Sequence, residues 1–478
     1  MASASIRAPL GLTIPLLLFL TSCSLVPAYM RPDPPLPASW NNGDLRDAST
    51  VRGAWWRDFG DSELSSLVER SLAGNQNLQA AMARIEEARG QVEIGSAALF
   101  PSLDLAGTLD RQNGRNNTLR HQQTQNLFAQ ASYEIDFWGK NRAAAASSRA
   151  LADAAVQDRD TVAVSLAAAV ADTYFQVLSL RERIRWAQSI AAGGRRTLTL
   201  IEAQAREGTA SNLQVEQQRN TIAAFDAAVP ALGLLLDQAT HLLATLVGVA
   251  PEGFDVPGQG LDGIRLPQVA PDVPATVLRR RPDVAAAEAR LVSANFDVGV
   301  ARAAFYPSLS LTAALGVGTA SLSSLHPAAL LTDILATPLQ TLIDNGRLSG
   351  QLLYDRARVT ELTATYRQTV IVALQDVEDQ LSAILRLDQQ GIPIGVAVES
   401  ARRAASLANS QFRLGAVDFL TVLTVERTLY LAEDAALQLR LLRLLAAIGL
   451  NRALGGGFDT PVRTAVQGAG LPPTNAAN

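Results

Sequence analysis

Few side chains in this 478-residue sequence could carry chemistry. There is one thiol, Cys23, and there are three imidazoles, His121, His241 and His326, far apart along the chain. A single cysteine builds neither a disulfide framework nor a cysteine metal cluster, and the histidines lack ligand spacing, so no metal or other cofactor is expected. The sequence has no G-x-S-x-G elbow, no H-E-x-x-H helix and no phosphate-cradling glycine loop after a strand, so no enzyme is expected either. The paired acids Glu86 and Glu87 occupy adjacent positions of a helical pattern and point to different faces. Arg279, Arg280 and Arg281 could hold an anion, or could simply begin a helix at Pro282. Basic residues (41) and acidic residues (45) nearly cancel, at a formal charge of −4, which leaves no electrostatic footprint for nucleic acid. What remains is the thiol of Cys23, and its surroundings decide its use.

Residues 1–22 have the order of a secretory signal: Arg7, an apolar run over 8–20, then small residues. The run is shorter than the roughly 20 residues a permanent membrane helix needs. Leu20-Thr21-Ser22-Cys23 resembles the lipobox of bacterial lipoproteins, in which the thiol receives diacylglycerol and the new N-terminus is acylated. Several acyl chains anchor stably where one alone holds only marginally. Ser24, rather than Asp, after the cysteine implies in that family sorting to the outer membrane of a Gram-negative cell. Residues 23–54 then read as a linker with prolines at 27, 32, 34, 35 and 37.

The rest of the chain is a duplication. Ala97-Ala98-Leu99-Phe100-Pro101-Ser102-Leu103 matches Ala303-Ala304-Phe305-Tyr306-Pro307-Ser308-Leu309, and Gly208 falls on Gly415. The copies span 55–268 and 269–458, before a tail at 459–478 expected to be flexible. Each reads as helix, two strands, then a pair of long helices. Leu103, Leu105, Gly107 and Leu109 alternate with Ser102, Asp104 and Thr108, which describes a strand greasy on one side and wet on the other. Leu127 to Ile135 and Leu309 to Leu315 repeat the pattern; a fourth strand, near 334–343, alternates poorly and contains Pro338. About 69 residues separate Gly139 from Gly208, and again Gly346 from Gly415, enough for helices of roughly 100 Å. Val422, Val425, Leu429 and Leu437, Leu441, Leu444 form two seams on the last helix, implying neighbours on two sides. Gly208 and Gly415 are placed to end helices in a left-handed conformation, with Ser211-Asn212-Leu213-Gln214 a capping box and Asp418 a helix cap.

Four half-apolar strands cannot close a membrane barrel, whose minimum is eight, and an open edge in lipid leaves peptide groups unpaired. Two chains would supply eight strands and three would supply twelve, and an aqueous pore favours three.

Trp55-Trp56-Arg57-Asp58-Phe59-Gly60-Asp61-Ser62-Glu63-Leu64, the segment from Arg279 to Ala289, Phe305-Tyr306-Pro307-Ser308-Leu309-Ser310-Leu311 and Ala453-Leu454-Gly455-Gly456-Gly457-Phe458 resemble the signature segments of the outer-membrane efflux proteins. Asp136-Phe137-Trp138-Gly139-Lys140 and Asp344-Asn345-Gly346-Arg347 resemble that family's strand-to-helix junctions, and the lipidated start is closest to its lipoprotein branch of nodulation protein T type. The resemblance implies a mainly α protomer with four strands. Three copies would form a 12-stranded outer-membrane β-barrel continuing into a periplasmic α-barrel, with an equatorial domain around it. It implies an exit duct for drugs or other small toxic compounds, anchored in outer-membrane lipid. Its partners would be a periplasmic adaptor and an inner-membrane transporter of the resistance-nodulation-division type. A conduit for type I protein secretion, or a non-channel coiled-coil scaffold lipoprotein, are the alternatives. The family narrows and docks its adaptor at the helix-to-helix turns, which here contain Arg206, Glu207 and Gly208, and Arg413, Gly415 and Asp418. Thr421 and Thr424 stand where some members carry aspartates, so an acidic gate would rest on Asp418. The family pattern makes the arginine run a helix start, and Asp136 and Asp344 are expected to cap the helices after them.

Overall fold

The computed structural model describes residues 24–33, 36–41, 53–112, 122–268, 274–319 and 329–456. Cys23, His121, His326 and the tail lie outside the described residues, as does most of the loop between the first two strands. The chain divides into two compact units.

The first unit comprises 1–33, 83–156 and 286–368. Its strands β1 (Ser102–Gln112), β2 (Gln122–Ile135), β3 (Ser308–Thr319) and β4 (Ala329–Leu339) form one antiparallel sheet in chain order. The pairing puts the apolar positions in register across all four: Leu105 faces Ala129, Ala129 faces Leu315, and Leu315 faces Thr332. Leu105 is 75% exposed, and Leu103, Leu109, Leu127 and Ile334 are exposed with it, an arrangement that water disfavours and lipid tails accept. On the wet face Gly316 lies under Phe128, where a Cβ would come within 2.5 Å of the Phe128 Cβ. Both outer strands keep one unpaired edge, because the sheet ends at β1 and β4.

The fourth strand differs from its sequence expectation of 334–343. It begins at Ala329 and ends at Leu339, and Leu342 and Ile343 stand exposed beyond it. Its alternation is poor because Leu335 and Leu339 share the wet face with Asp333 and Thr337. Pro338, lacking an N–H, stands one residue before the strand's last, where a missing ladder bond costs least.

The sheet's inner end is ringed by aromatic residues. Trp138 stacks on Tyr306 with ring centroids 4.7 Å apart and donates its Nε1–H to the Pro307 carbonyl at 2.8 Å. Phe100, Phe137 and Phe305 stand exposed around them, as amphipathic girdles do at a membrane surface. Asp136 accepts from the backbone N–H of Asn141 and Arg142, starting α3 (Lys140–Arg206). Asp344 likewise accepts from Gly346 and Leu348, starting α7 (Arg347–Arg413). Both aspartates are therefore the caps that the sequence implies.

The proline-rich start is more than a tether in this unit. Residues 24–33 lie against α6 (Pro282–Ala303): Val26 fills the space above Gly299, Asn295 donates to the Pro27 carbonyl at 2.9 Å, and Arg31 pairs with Glu288 at 2.7 Å. Arg302, five residues before Pro307, donates to the Leu25 carbonyl at 3.4 Å.

The second unit comprises 34–82, 157–285 and 369–478. Trp55, Trp56 and Phe59 form a single 3₁₀ turn that is driven into the core, where the Phe59 and Phe175 rings sit 5.3 Å apart. Asp61 caps α1 (Ser62–Gly74) through the Leu64 N–H and accepts the Tyr174 hydroxyl at 3.2 Å. Around them pack α3, α4 (Asn212–Val247) and α8 (Phe419–Ala453), with Leu67, Leu178, Leu243 and Ile448 fully buried. An apolar stretch of α3 is long enough to cross a membrane, yet two thirds of it is buried within the protein and serves packing. The arginine run is structural at Arg281, which is buried and donates to Asp283, to Asp376 and to the Ala453 carbonyl. In the other copy the neutral Asn75 makes the matching tie, to the Leu246 carbonyl at 2.9 Å.

Asp172 on α3 is the one carboxyl here with a large expected pH signature. Burial pushes its pKa up to about 6 from 3.8, against the pull of Arg452, and its Oδ1 has no partner among the described residues. A raised folded-state value means that ionisation opposes folding. Stability should be highest below pH 4, fall as pH rises towards about 6, and be flat above. Asp172→Asn is expected to remove that slope and to stabilise the protein at pH 7 by up to about 3 kcal/mol. Denaturant midpoints at pH 4, 5, 6 and 7 check this, and a wild-type midpoint that did not fall over that range would contradict it.

Candidate functional site

The helix pairs α3–α4 and α7–α8 each end in a tight turn in the second unit, and the two turns are built alike. Gly208 and Gly415 adopt φ of +75° and +72°, a conformation that only glycine takes cheaply. Behind them the Thr209 N–H bonds the Gln204 carbonyl, and the Ala416 N–H bonds the Gln411 carbonyl, both at 2.9 Å. Ser211 and Gln214 close a reciprocal capping box on α4. Asp418 caps α8, accepting from the Thr421 N–H at 2.8 Å and from the Thr421 hydroxyl at 2.5 Å.

The structure brings the two turns together. Ile201, Val215 and Phe419 form one buried cluster with Phe412, Leu198 and Leu423, so all four helices meet at one end. Arg206 and Arg413 are the final residues of α3 and α7, and Glu207 is exposed beside Gly208. Asp418 is exposed, and the hydrogen bonds from Thr421 hold its carboxyl below the usual range, so it is charged at any physiological pH. Thr421 is committed to that bond, while Thr424 donates to the Leu420 carbonyl of its own helix at 2.8 Å. Neither threonine adds a charge at the turn. Leu213, Leu414 and Leu420 are exposed around the turns.

Sequence reasoning missed the staples above these turns. Arg195 pairs with Asp226 at 2.6 Å across α3–α4, and Arg402 pairs with Glu433 across α7–α8. The two pairs fall on each other at the same offset that aligns Gly208 with Gly415, a signal available in the duplication. Glu426, half-buried and bonded by Asn409 at 3.5 Å, was missed as well; burial raises its pKa.

A membrane-facing sheet with open edges, joined to long helix pairs that end in matched turns, defines a channel protomer of the outer-membrane type. The family description "Outer membrane efflux protein" matches residues 67–249 and 273–456, one match for each copy. A pyoverdine export outer membrane protein OpmQ of Pseudomonas aeruginosa is 37% identical over 457 residues, covering 93% of this chain and 96% of the relative. The outer-membrane channel OprN superposes with a TM-score of 0.86 at 30% identity, over 91% of this chain and 99% of that one. The open-state MtrE channel of Neisseria gonorrhoeae gives 0.82 at 27% identity, over 91% and 98%. The chain belongs to the outer membrane efflux protein family. It is an outer-membrane efflux channel whose fold is that of the trimeric exit ducts, spanning from the outer membrane into the periplasm. The family works as homotrimers with an adaptor and an inner-membrane pump.

Proposed function

We propose that this chain forms the exit duct of a tripartite pump for small molecules, held by an acylated Cys23 and closed at its periplasmic end by the paired turns. The observation that carries the gate is the convergence of both turns on one apolar cluster beside an exposed, permanently charged Asp418. Three copies of that carboxylate around an axis favour cations and resist passive leakage of anions. Arg206, Glu207 and Arg413 supply the remaining charge at the aperture, Gly208 and Gly415 its tight backbone, and Thr421 fixes the Asp418 carboxylate. Thr424 contributes no charge. The exposed Leu213, Leu414 and Leu420 suit docking of the adaptor, whose transporter is of the resistance-nodulation-division type by the resemblance. Acylation of Cys23 is supported by the seating of Leu25 beside Arg302, a few residues from the aromatic girdle, which would put the acyl chains at the inner leaflet. Similarity to a pyoverdine exporter along nearly the whole chain supports a small secreted metabolite as cargo. Selection among cargoes is left to the transporter, and no catalytic step is assigned to the duct.

Planar-bilayer recording tests the gate. Asp418→Ala is expected to raise single-channel conductance and to weaken the preference for cations. Unchanged conductance and selectivity would remove Asp418 from the gate.

A further inference from the structure

Each helix pair contains one interior proline, and the two lie at the same height. Pro230 on α4 is twenty-two residues beyond Gly208, and Pro393 on α7 is twenty-two residues before Gly415, about 33 Å from either turn at 1.5 Å per residue. The duplication did not place them there. At the aligned positions stand Leu437 on α8 and Trp186 on α3, so each copy carries its proline on a different helix yet at one level. A proline cannot return the helical bond to the carbonyl four residues back, here that of Asp226 and that of Gln389, and bending at such a point is cheap.

The surroundings of both prolines favour bending. Pro230 and Pro393 are exposed within the protomer. Gly233 follows the first, and Gly391 and Gly395 flank the second; a Cβ added at Gly233 or Gly395 would meet nothing within 4 Å. A cavity of about 380 Å³ lies beside Gly391, Ile394 and Gly395, against Leu439 and Arg443 of α8. The contrast is Gly194 on α3, which is packed tight: Gln218 bonds its carbonyl at 2.8 Å, and a Cβ there would meet Ile222 at 3.1 Å. Between each proline and its turn lies a staple, Arg195–Asp226 in one pair and Arg402–Glu433 in the other. In each pair the break thus falls just above a cross-helix tie on its turn side, while in α7–α8 Arg443 holds Asp388 beyond it, so that Pro393 is the free point between two tied segments.

We propose that Pro230 and Pro393 form one hinge level, six prolines in the trimer, about which the stapled tips swing as levers to open and close the periplasmic end. Both helices run unbroken through their prolines in this structure, so the hinge is poised rather than bent. The inference rests on the gated-duct reading, and its test separates the two.

The test is planar-bilayer recording of the purified full-length channel in three forms. Pro230→Ala with Pro393→Ala restores both backbone bonds at exposed positions. It is expected to lower the frequency of transitions between conductance levels by about tenfold, leaving the conductance of each level unchanged. Arg195→Ala with Arg402→Ala, which opens the staples, is expected to raise that frequency. Proline variants within twofold of wild type, beside a staple variant that responds, would overturn the hinge and leave the gate standing. Transitions unchanged in both variants would overturn the gate itself, and the hinge with it.

Discussion

Leu105→Arg is expected to destabilise the assembled channel by about 2–4 kcal/mol per protomer, the cost of an arginine on the lipid face near the bilayer midplane. Leu105 lies mid-strand, in register with Ala129, Leu315 and Thr332, on the face whose leucines stand exposed in the protomer. Because the substitution enters the wall three times per trimer, its effect multiplies, and trimers reconstituted in liposomes should dissociate at a much lower denaturant concentration. Thr108→Arg is the comparison, three residues along and on the opposite face. It should leave the trimer intact and change only conductance. Equal damage from both would mean that the two faces meet the same solvent, which a barrel wall does not allow.

Arg281→Ala should destabilise the second unit by about 3 kcal/mol. The guanidinium is buried among three acceptors: Asp283, Asp376 and the carbonyl of Ala453 near the end of α8. Its charged form is retained despite burial because both carboxylates face it. Removing it leaves the two carboxylates close together and the carbonyl unpaired. Asp283 and Asp376 keep partial access to water, which holds the cost near the lower end of the range for broken buried pairs. Arg281→Lys keeps the charge but cannot span three acceptors, so it should recover only part of the loss. Chemical denaturation of the three proteins checks the order. A stability of Arg281→Ala equal to wild type would return the arginine run to the anion-binding reading.

Much of this fold is legible in the sequence because its signals are local. Strict alternation from Leu103 to Leu109 depends only on one side of a strand meeting lipid, and the caps at Asp136, Asp344, Ser211 and Asp418 need only a few neighbouring residues. The turns at Gly208 and Gly415 were readable for the same reason. The fourth strand was displaced because its wet face carries leucines, so that periodicity fails where a pore wall is mixed. The seating of residues 24–33 was not legible: Val26 fits the space over Gly299 across 273 positions of chain, and prolines suggest only a linker. The Arg195–Asp226 and Arg402–Glu433 staples could have been found, since the repeat offset superimposes them, but only by asking which charges the duplication preserved. The buried Asp172 gives no sequence signal, because its raised pKa comes from packing.

The most direct test of the account is native mass spectrometry of the detergent-purified mature protein, followed by recording the same sample in a planar bilayer. A trimer whose chains each begin at a lipid-modified Cys23, with small and mostly closed cation-selective conductance, is the expected result. A non-conducting monomer or dimer would contradict it, because four strands with two open edges would then have no barrel to complete.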